Sequence, residues 1–205
     1  AVDQSQGANR GAAIQFMYLL ANHIARLCFQ QYQLNQRVQE LRALYNLSTE
    51  LAGQRDLQHL LDTAARSAAQ VMKVKAASIR LITPSGTELK NYAVYNLSKE
   101  YLNKGPVLIE ANELNQRALK GEVVYVEDMS SDPRVQYPED ARREGLVSIL
   151  TAGIVFKDQP IGVTRLYTGE TRHFTHSERQ LLQAIAQLVA TAIQTARLDG
   201  IRQES

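Results

Sequence analysis

A run of charged and hydroxyl side chains, EDMSSDPRV, occupies residues 127–135. It contains three carboxylates, one guanidinium group and two serines, and it directly follows the apolar run VVYV. Carboxylates near the end of a strand suit general acid–base chemistry or metal binding. Serine, aspartate and a following proline also favour turns. The stretch is therefore either an acidic catalytic or metal-binding cluster, or a loop whose charges shape the backbone.

The histidines and the single cysteine offer little support for a catalytic or metal site. His173 and His176 lie close together, but Thr175 between them is expected to cap a helix, so the pair does not share one helical face. Cys28 lies between apolar residues of a helical stripe, where a buried or interfacial thiol is the ordinary role. No P-loop, Gly-x-Ser-x-Gly elbow or dinucleotide-binding glycine motif is present. We predict a chain without a metal site and without enzymatic activity.

Composition and charge are those of an ordinary globular protein. The 205 residues fit one domain with a long additional helix, and hydrophobic residues make up 44% of them. No apolar run approaches the roughly 20 residues that a bilayer crossing needs. A net charge of +2 without an Arg/Lys-rich block argues against nucleic-acid binding. With one cysteine, we predict a cytoplasmic segment that makes no membrane contact.

The N-terminal third of the sequence has a heptad pattern. After a polar, Gly-containing stretch at residues 1–12, expected to be a disordered or artificially added tail, residues 13–46 form one predicted helix. Its d positions are Ala13, Leu20, Leu27, Leu34 and Leu41, and its a positions are Met17, Ile24, Gln31, Val38 and Tyr45. Leucine at d with β-branched residues at a favours a parallel two-stranded coiled coil, and hence a homodimer. The alternative is one long helix packed on its own domain.

The remaining sequence predicts an α+β fold. A helix follows a break at Gly53, and period-two apolar patterns mark the strands. The strands are expected at 76–83, 87–97, 123–126, 147–156 and 161–168, with a tight turn at 157–160 between the last two. Short helices are expected at 98–103, 111–120 and 138–144, the last one beginning at Pro138 and followed by Gly145. Thr175 and Glu178 form a capping box for a final long helix, and residues 199–205 are expected to be a tail. The terminal helices should pack on one face of an antiparallel sheet.

Residues 121–168 resemble the second half of a GAF domain. A strand, an Asp-containing loop ending in DPR, a small helix, a Gly-x-x-Ser strand and an Ile-Gly-Val turn and strand follow in this order. The closing FTHSERQLLQAIAQLVATAIQTARL is similar to the terminal helix of that family, so the resemblance covers about residues 40–198. Gly153 departs from the family, in which many members carry proline. The resemblance implies a sheet of five or six strands, with a small-molecule pocket on the face away from the terminal helices.

The family resemblance leaves the ligand open, because GAF domains bind several chemical classes or none. Cyclic-nucleotide-binding members carry an Asn-Lys-Phe motif, whereas here Asn103-Lys104 is followed by Gly105-Pro106. Bilin attachment and sulfoxide reduction require pocket cysteines, and Cys28 lies outside the GAF region. Cyclic-nucleotide binding, bilin attachment and sulfoxide reduction are therefore disfavoured. The sequence does not identify a cofactor.

Two arginines are the best candidates for ligand binding. Strand alternation places Arg80 on the face opposite to Ile79 and Leu81. The family plan puts the last strand beside the first, where Arg165 and Tyr167 share a face. Arg80 and Arg165 are then expected to converge as a clamp for a carboxylate or phosphate. Further candidates for the pocket and its rim are Tyr92, Ser148, Thr151, Tyr167 and Asp128.

Other roles for the arginines and for the chain stay open. One arginine could extend to solvent or form a salt bridge with Asp128 or Asp132. The favoured function is a non-enzymatic sensory GAF module that binds a small ligand, with anions as one candidate class. It would dimerise through its N- and C-terminal helices and signal to upstream and downstream domains of a larger signal-transduction protein. The alternatives are a structural dimerisation unit without a ligand and a GAF-fold enzyme acting on a small metabolite.

Overall fold

A computed structural model describes the backbone of residues 2–52 and 56–203, and the side chains of residues 14–52 and 56–198. The chain divides into two compact units, residues 1–43 and residues 44–205. The helices are α1 (Val2–Ala52), α2 (Leu57–Val71), α3 (Lys99–Leu102), α4 (Glu113–Leu119), α5 (Pro138–Glu144) and α6 (His176–Gln203). The strands are β1 (Ala76–Ile82), β2 (Leu89–Tyr95), β3 (Val123–Val126), β4 (Ile149–Phe156) and β5 (Gln159–Tyr167).

The five strands form one antiparallel sheet in the order β2-β1-β5-β4-β3. The last strand therefore lies beside the first, as the family plan implied. The predicted α+β fold with a five-stranded antiparallel sheet is confirmed.

The β4–β5 hairpin is tighter than predicted. Its loop consists of Lys157 and Asp158, both with positive φ (46° and 62°), and β5 begins already at Gln159. Two-residue hairpin loops with positive φ match the right-handed twist of the flanking strands. The predicted four-residue turn therefore includes two residues that belong to the strand.

One face of the sheet packs against α2, α6 and the C-terminal end of α1. Strand residues such as Ile79, Leu150 and Leu166 form a core with α2, α6 and the end of α1. From α1 this core takes Leu47 and Leu51, which are 2% and 3% exposed. The predicted placement of the terminal helices on one sheet face is confirmed.

The opposite face of the sheet is covered by the short helices and loops. Alternate strand residues, among them Val124, Val163 and Tyr167, pack with Tyr101 of α3 and Ala118 of α4. Because successive strand residues point to opposite faces, the two cores draw on interleaved positions of the same strands. The candidate site lies in this second core.

The ends of α5 and α6 follow the predicted rules. Thr175 N–H donates to Glu178 Oε2 (2.8 Å), and Glu178 N–H donates to Thr175 Oγ1 (3.2 Å), which completes the capping box. α5 begins at Pro138 and ends before Gly145, whose φ of 68° is the left-handed conformation that favours glycine.

The described residues in the unit of residues 1–43 belong to α1, and α1 is longer than predicted. It begins at Val2 rather than at residue 13 and continues to Ala52. The predicted break at Gly53 lies outside the described residues. In the single chain the apolar heptad residues in the described part of α1 are exposed, from 40% at Val38 to 73% at Tyr45. Among the described residues, no helix combines the length and apolar character needed to cross a membrane.

Candidate functional site

Arg80 on β1 and Arg165 on β5 lie on the same face of the sheet. In the β1–β5 register Arg80 is opposite Val163 and Ser78 is opposite Arg165, so the two arginines are diagonal neighbours. Arg80 is only 3% exposed, and Arg165 is partly buried. The sheet thus brings two positive charges together beneath α3 and α4.

These guanidinium groups are poorly paired. Nε and Nη2 of Arg80 and Nε of Arg165 are buried without a hydrogen-bond partner. Within the described part of the chain, no carboxylate forms an ion pair with either arginine. Asp132, considered as a partner from the sequence, instead pairs with Arg134 at 2.6 Å. Buried polar groups are rarely left unsatisfied in proteins, so this cluster requires an explanation.

Lys104 adds a third cation to the same cluster. Its Nζ lies 3.4 Å from the centre of the Tyr101 ring and donates to the Tyr101 carbonyl oxygen (2.9 Å). Tyr101 packs edge to face on Tyr167, with ring centres 6.1 Å apart. The Tyr167 hydroxyl is 3.2 Å from Ser78 Oγ. Three cations and two phenol groups therefore share one buried region.

The electrostatic effects within this region are large. Burial lowers the pKa of Lys104 to about 8, and repulsion from Arg80 and Arg165 acts in the same direction. Burial and the charge of Arg165 also lower the pKa of Arg80. For Tyr167 burial acts to raise the pKa, but the attraction of Arg165, Arg80 and Lys104 outweighs it and lowers the pKa to about 8. Burial raises the pKa of Tyr101, which remains a neutral phenol.

Asn115 holds Arg165 in place from the helix side. It is fully buried on α4, and its side-chain oxygen accepts a hydrogen bond from Arg165 Nη2. Asn115 Nδ2 donates to the Leu108 carbonyl oxygen (3.1 Å), and its backbone N–H donates to Asn112 Oδ1 (3.1 Å). An amide that uses both ends in this way fixes the position of the guanidinium group.

A cavity of about 40 Å³ lies between the sheet and the covering helices. It is bounded by residues of β4, β5, α3, α4 and the loop before α5. The lining residues are Tyr101, Lys104, Val107, Asn112, Leu114, Met129, Val135, Gln136, Tyr137, Ile149, Thr151 and Arg165. Two of the three clustered cations, Lys104 and Arg165, therefore reach the cavity wall.

Gly153 determines how closely α4 approaches the sheet. A Cβ atom at this position would lie only 2.0 Å from the Ala118 carbonyl oxygen, an impossible contact. The helix backbone thus rests directly on β4, which places Asn115 near Arg165. The departure from the family pattern at Gly153 has a steric reason in this chain.

Of the five other predicted site residues, two lie near the arginines and three do not. Thr151 lines the cavity and is opposite Arg165 in the β4–β5 register. Tyr167 belongs to the buried cluster. Ser148 lies elsewhere, because its hydroxyl donates to the Glu127 carbonyl oxygen (2.6 Å) and accepts from Arg172 N–H (3.2 Å). Its role is to connect loops at the end of β4.

Tyr92 and Asp128 also lie outside the cavity wall. Tyr92 is 39% exposed, at the irregularity where Ile79 pairs with Ala93 but Arg80 pairs with Asn91. Asp128 accepts hydrogen bonds from Ser130 N–H (2.8 Å) and from the side chains of two serines, which lower its pKa. The stretch EDMSSDPRV is therefore a hydrogen-bonded loop rather than a convergent acidic cluster.

Several residues of the site could not be identified from the sequence. Lys104, Tyr101 and Asn115 come from short helices and loops, where no periodic pattern indicates which side chain points inward. Asn91 was also missed, although its Oδ1 is buried without a partner. The only sequence feature near Lys104 is the Gly105-Pro106 pair that follows it. Gly105 has a φ of 129°, so the chain turns sharply there.

The histidines and acidic residues do not gather around a possible metal position. Among the described residues, no group of three or more His, Cys, Asp or Glu side chains could hold a metal ion. His173 Nε2 lies 3.4 Å from Glu127 Oε1 at the surface.

Comparison with solved structures shows the same fold in several proteins. The GAF domain of a phosphoenolpyruvate-protein phosphotransferase from Coxiella burnetii superposes with a TM-score of 0.71 at 17% identity, covering 80% of this chain and 98% of that chain. A domain of a putative two-component sensor histidine kinase from Sinorhizobium meliloti 1021 gives 0.61 at 18% identity, covering 73% and 99%. Free methionine-R-sulfoxide reductase from Neisseria meningitidis gives 0.65 at 14% identity, covering 78% and 91%.

The sequence comparison points to one family. No curated protein matches the chain. A family model described as GAF domain matches residues 56–193, about two thirds of the sequence, and these residues contain the whole sheet, α2 to α5 and most of α6. This chain belongs to the GAF domain family.

Proposed function

We propose that the GAF domain binds a small anionic ligand between the sheet and helices α3 to α5. The observation that carries this proposal is the cluster of Arg80, Arg165 and Lys104, none of which forms an ion pair with a carboxylate among the described residues. An unpaired buried charge costs several kcal/mol of desolvation free energy. An anion bound at the cluster offsets that cost.

The geometry of the donors supports the same ligand class. Arginine presents a planar fork of N–H groups that matches carboxylate and phosphate oxygens. The unpartnered Nε and Nη2 atoms of Arg80 are two such donors. Arg165 has an unpartnered Nε, while its Nη2 is held by Asn115. These unpartnered guanidinium N–H groups are therefore donors of the kind that bind an oxyanion.

A sensory role fits both the family and the long helix. GAF domains occur in signalling proteins, such as the sensor histidine kinase and a methyl-accepting chemotaxis protein among the solved neighbours. In this chain α1 carries the heptad residues and also contributes Leu47 and Leu51 to the core. We propose that a parallel homodimer forms through α1, with α6 as a further contact. A change at the sheet would then pass along α1 to neighbouring domains of a larger cytoplasmic protein.

A structural dimerisation unit without a ligand is the second candidate. The cavity volume of about 40 Å³ favours it, since ligand pockets usually measure roughly 300 Å³ or more. If the side chains simply fill the site, the cations would serve only to position α3 and α4. If the domain binds an anion, an added anion should stabilise the folded chain. If the domain is only structural, it should not.

Thermal unfolding in the presence of added anions tests the proposal. The 205-residue chain is heated with carboxylates and with inorganic phosphate at constant ionic strength, alongside Arg165→Met and Arg66→Met. Arg66 is exposed on α2, across the sheet from the cluster, so its substitution controls for loss of one positive charge. We expect at least one anion to raise Tm of the wild type and of Arg66→Met, but not of Arg165→Met.

Two results would contradict the proposal. If no anion raises the wild-type Tm, the structural candidate is favoured. If an anion stabilises Arg165→Met as much as the wild type, the stabilisation comes from a site elsewhere on the surface.

A further inference from the structure

The cavity wall is mostly apolar, which restricts the anions that fit. Five of the lining side chains are aliphatic or thioether groups, namely Val107, Leu114, Met129, Val135 and Ile149. The cationic lining residues are Lys104 and Arg165, both from the charged cluster. A ligand that fits this wall has one charged group and an apolar remainder.

The size of the cavity sets a second restriction. A single water molecule needs roughly 10–15 Å³ on the same measure, so about 40 Å³ admits only a few heavy atoms. Nucleotides and tetrapyrroles are far larger. Met129 on the cavity wall has an unbranched, flexible side chain, which can adapt to ligands of slightly different length.

We propose that the ligand is a short-chain aliphatic monocarboxylate, with its carboxylate at Lys104 and Arg165, the two clustered cations on the cavity wall, and its hydrocarbon chain against Val107, Leu114 and Ile149. This inference rests on the proposed anion site and adds the chemical class of the ligand. Thr151, opposite Arg165 and on the cavity wall, supplies a hydroxyl group for one carboxylate oxygen.

Other small anions fit the wall less well. Inorganic phosphate and dicarboxylates carry a second charge or further polar oxygens, which would lie against aliphatic side chains. Burying a polar group without a hydrogen-bond partner costs roughly 1–3 kcal/mol, as judged from mutations in proteins. A neutral amide of the same length keeps the apolar contacts but loses the attraction of the cations. These three kinds of compound are therefore natural competitors in a test.

Calorimetric titration of the full chain with a homologous series measures the contribution of the hydrocarbon chain. The series runs from acetate through propionate and butyrate to hexanoate, with inorganic phosphate, succinate and butyramide for comparison. Each buried methylene should tighten binding about fourfold until the cavity is full. Butyramide should not bind measurably, and succinate and phosphate should bind more weakly than butyrate.

A cavity-enlarging variant tests where the hydrocarbon chain lies. Val107→Ala is expected to shift the best ligand to an acid that is one or two carbons longer. Val189→Ala is the matched control, because Val189 is buried on α6 in the core on the other sheet face. It loses the same two methyl groups and should leave the order of affinities unchanged.

The outcomes separate this inference from the anion site itself. If phosphate or succinate binds most tightly, or affinity does not change with chain length, the monocarboxylate is ruled out while the anion site stands. If Val107→Ala and Val189→Ala behave alike, the hydrocarbon chain is not at Val107 and the inference is overturned. If no anion binds to the wild type, the proposed function fails together with the inference.

Discussion

Arg80 and Arg165 lie on adjacent strands with their side chains on one face of the sheet, and neither is paired with a carboxylate among the described residues. Each charge is held in a poorly solvated place beside a like charge, and this arrangement lowers the pKa of Arg80. Apolar side chains at these two positions should therefore give a larger free energy of unfolding than the arginines do. Substitution of the arginines measures this difference.

Arg80→Met should stabilise the ligand-free chain. Methionine fills a similar volume and removes a buried, partly unsatisfied charge, so we expect the free energy of unfolding to rise by about 1–3 kcal/mol. Urea unfolding of the wild type, Arg80→Met, Arg165→Met and the double variant measures this effect. Arg80→Met and Arg165→Met relieve the same repulsion. The double variant should therefore gain less stability than the sum of the two single variants.

The control for this prediction is Arg66→Met, which should change stability by no more than about 0.5 kcal/mol. A loss of stability in Arg80→Met would mean that the guanidinium group contributes structural contacts that outweigh its burial, contrary to the prediction.

Anion affinity should depend on pH near 8. Lys104 and Tyr167 both have a pKa of about 8, and loss of a proton makes Lys104 neutral or Tyr167 negative, so either step lowers the net charge of the cluster by one. Because the two groups interact, they are expected to titrate as a coupled pair. Binding linked to one proton becomes about tenfold weaker between pH 7 and pH 9. Aliphatic carboxylates remain ionised throughout this range, so titration calorimetry reports on the protein alone.

The stability of the ligand-free chain should change in the opposite direction. The ordinary pKa values of Lys104 and Tyr167, 10.5 and 10.0, describe the unfolded chain, and both pKa values are lower in the folded chain. Between pH 8 and 10 the unfolded chain therefore holds more protons, and the free energy of unfolding rises with pH. Tyr167→Phe should reduce this rise of the free energy of unfolding with pH.

The binding prediction has its own contrary outcome. Equal anion affinity at pH 7 and pH 9 would show that neither Lys104 nor Tyr167 titrates at the site.

Gly153→Ala should destabilise the chain and disturb the site. The added methyl group would collide with the backbone of Ala118, so α4 must move away from β4. We expect a loss of about 1–3 kcal/mol in the free energy of unfolding, as for other overpacked positions. The anion response should weaken as well, because α4 carries Asn115, which holds Arg165.

Gly86→Ala is the control for Gly153→Ala. Gly86 has a φ of 76° and no atom within 4 Å of the added methyl group, so its substitution tests backbone strain without a collision. It should cost stability but leave the anion response intact. An unchanged anion response in Gly153→Ala would contradict the proposed role of helix packing.

The proposed parallel dimer through α1 can be tested with a cysteine at a d position. In the Cys28→Ser background, Leu27→Cys should form an interchain disulfide under mild oxidation, since facing d residues of a parallel pair lie within disulfide range. Gln36→Cys, at an outward f position, is the control and should cross-link slowly. Non-reducing electrophoresis measures both rates. Similar rates for the two variants would argue against a parallel seam.

Much of the fold was predictable because its determinants are local. The capping box at Thr175 and Glu178 and the glycine at position 145 use only backbone geometry and neighbouring side chains. Period-two alternation likewise assigns Arg80 and Arg165 to faces of their strands. Once the family plan placed β5 beside β1, their convergence followed.

The predicted residues that lie away from the cavity, and the residues that the sequence did not indicate, depend on contacts distant in sequence. The irregular pairing between β1 and β2 leaves Tyr92 partly exposed instead of beside Arg80. Lys104 becomes part of the site only because α3 folds over the sheet. The alternation of strand side chains between the two sheet faces does not predict where a β-bulge interrupts it. A loop residue has no periodic pattern that indicates whether its side chain points into the protein.

The amino-acid sequence by itself determined the α+β order of elements, the heptad helix and the faces of the strands, because hydrophobic period and capping act over a few residues. Only the tertiary structure decided which charges remain unpaired. Asp128 and Asp132 had been possible partners for the arginines, but each is satisfied within its own loop by serines or by Arg134. Whether a buried cation finds a carboxylate depends on distances across the fold, and these distances leave Arg80 and Arg165 without a carboxylate partner among the described residues.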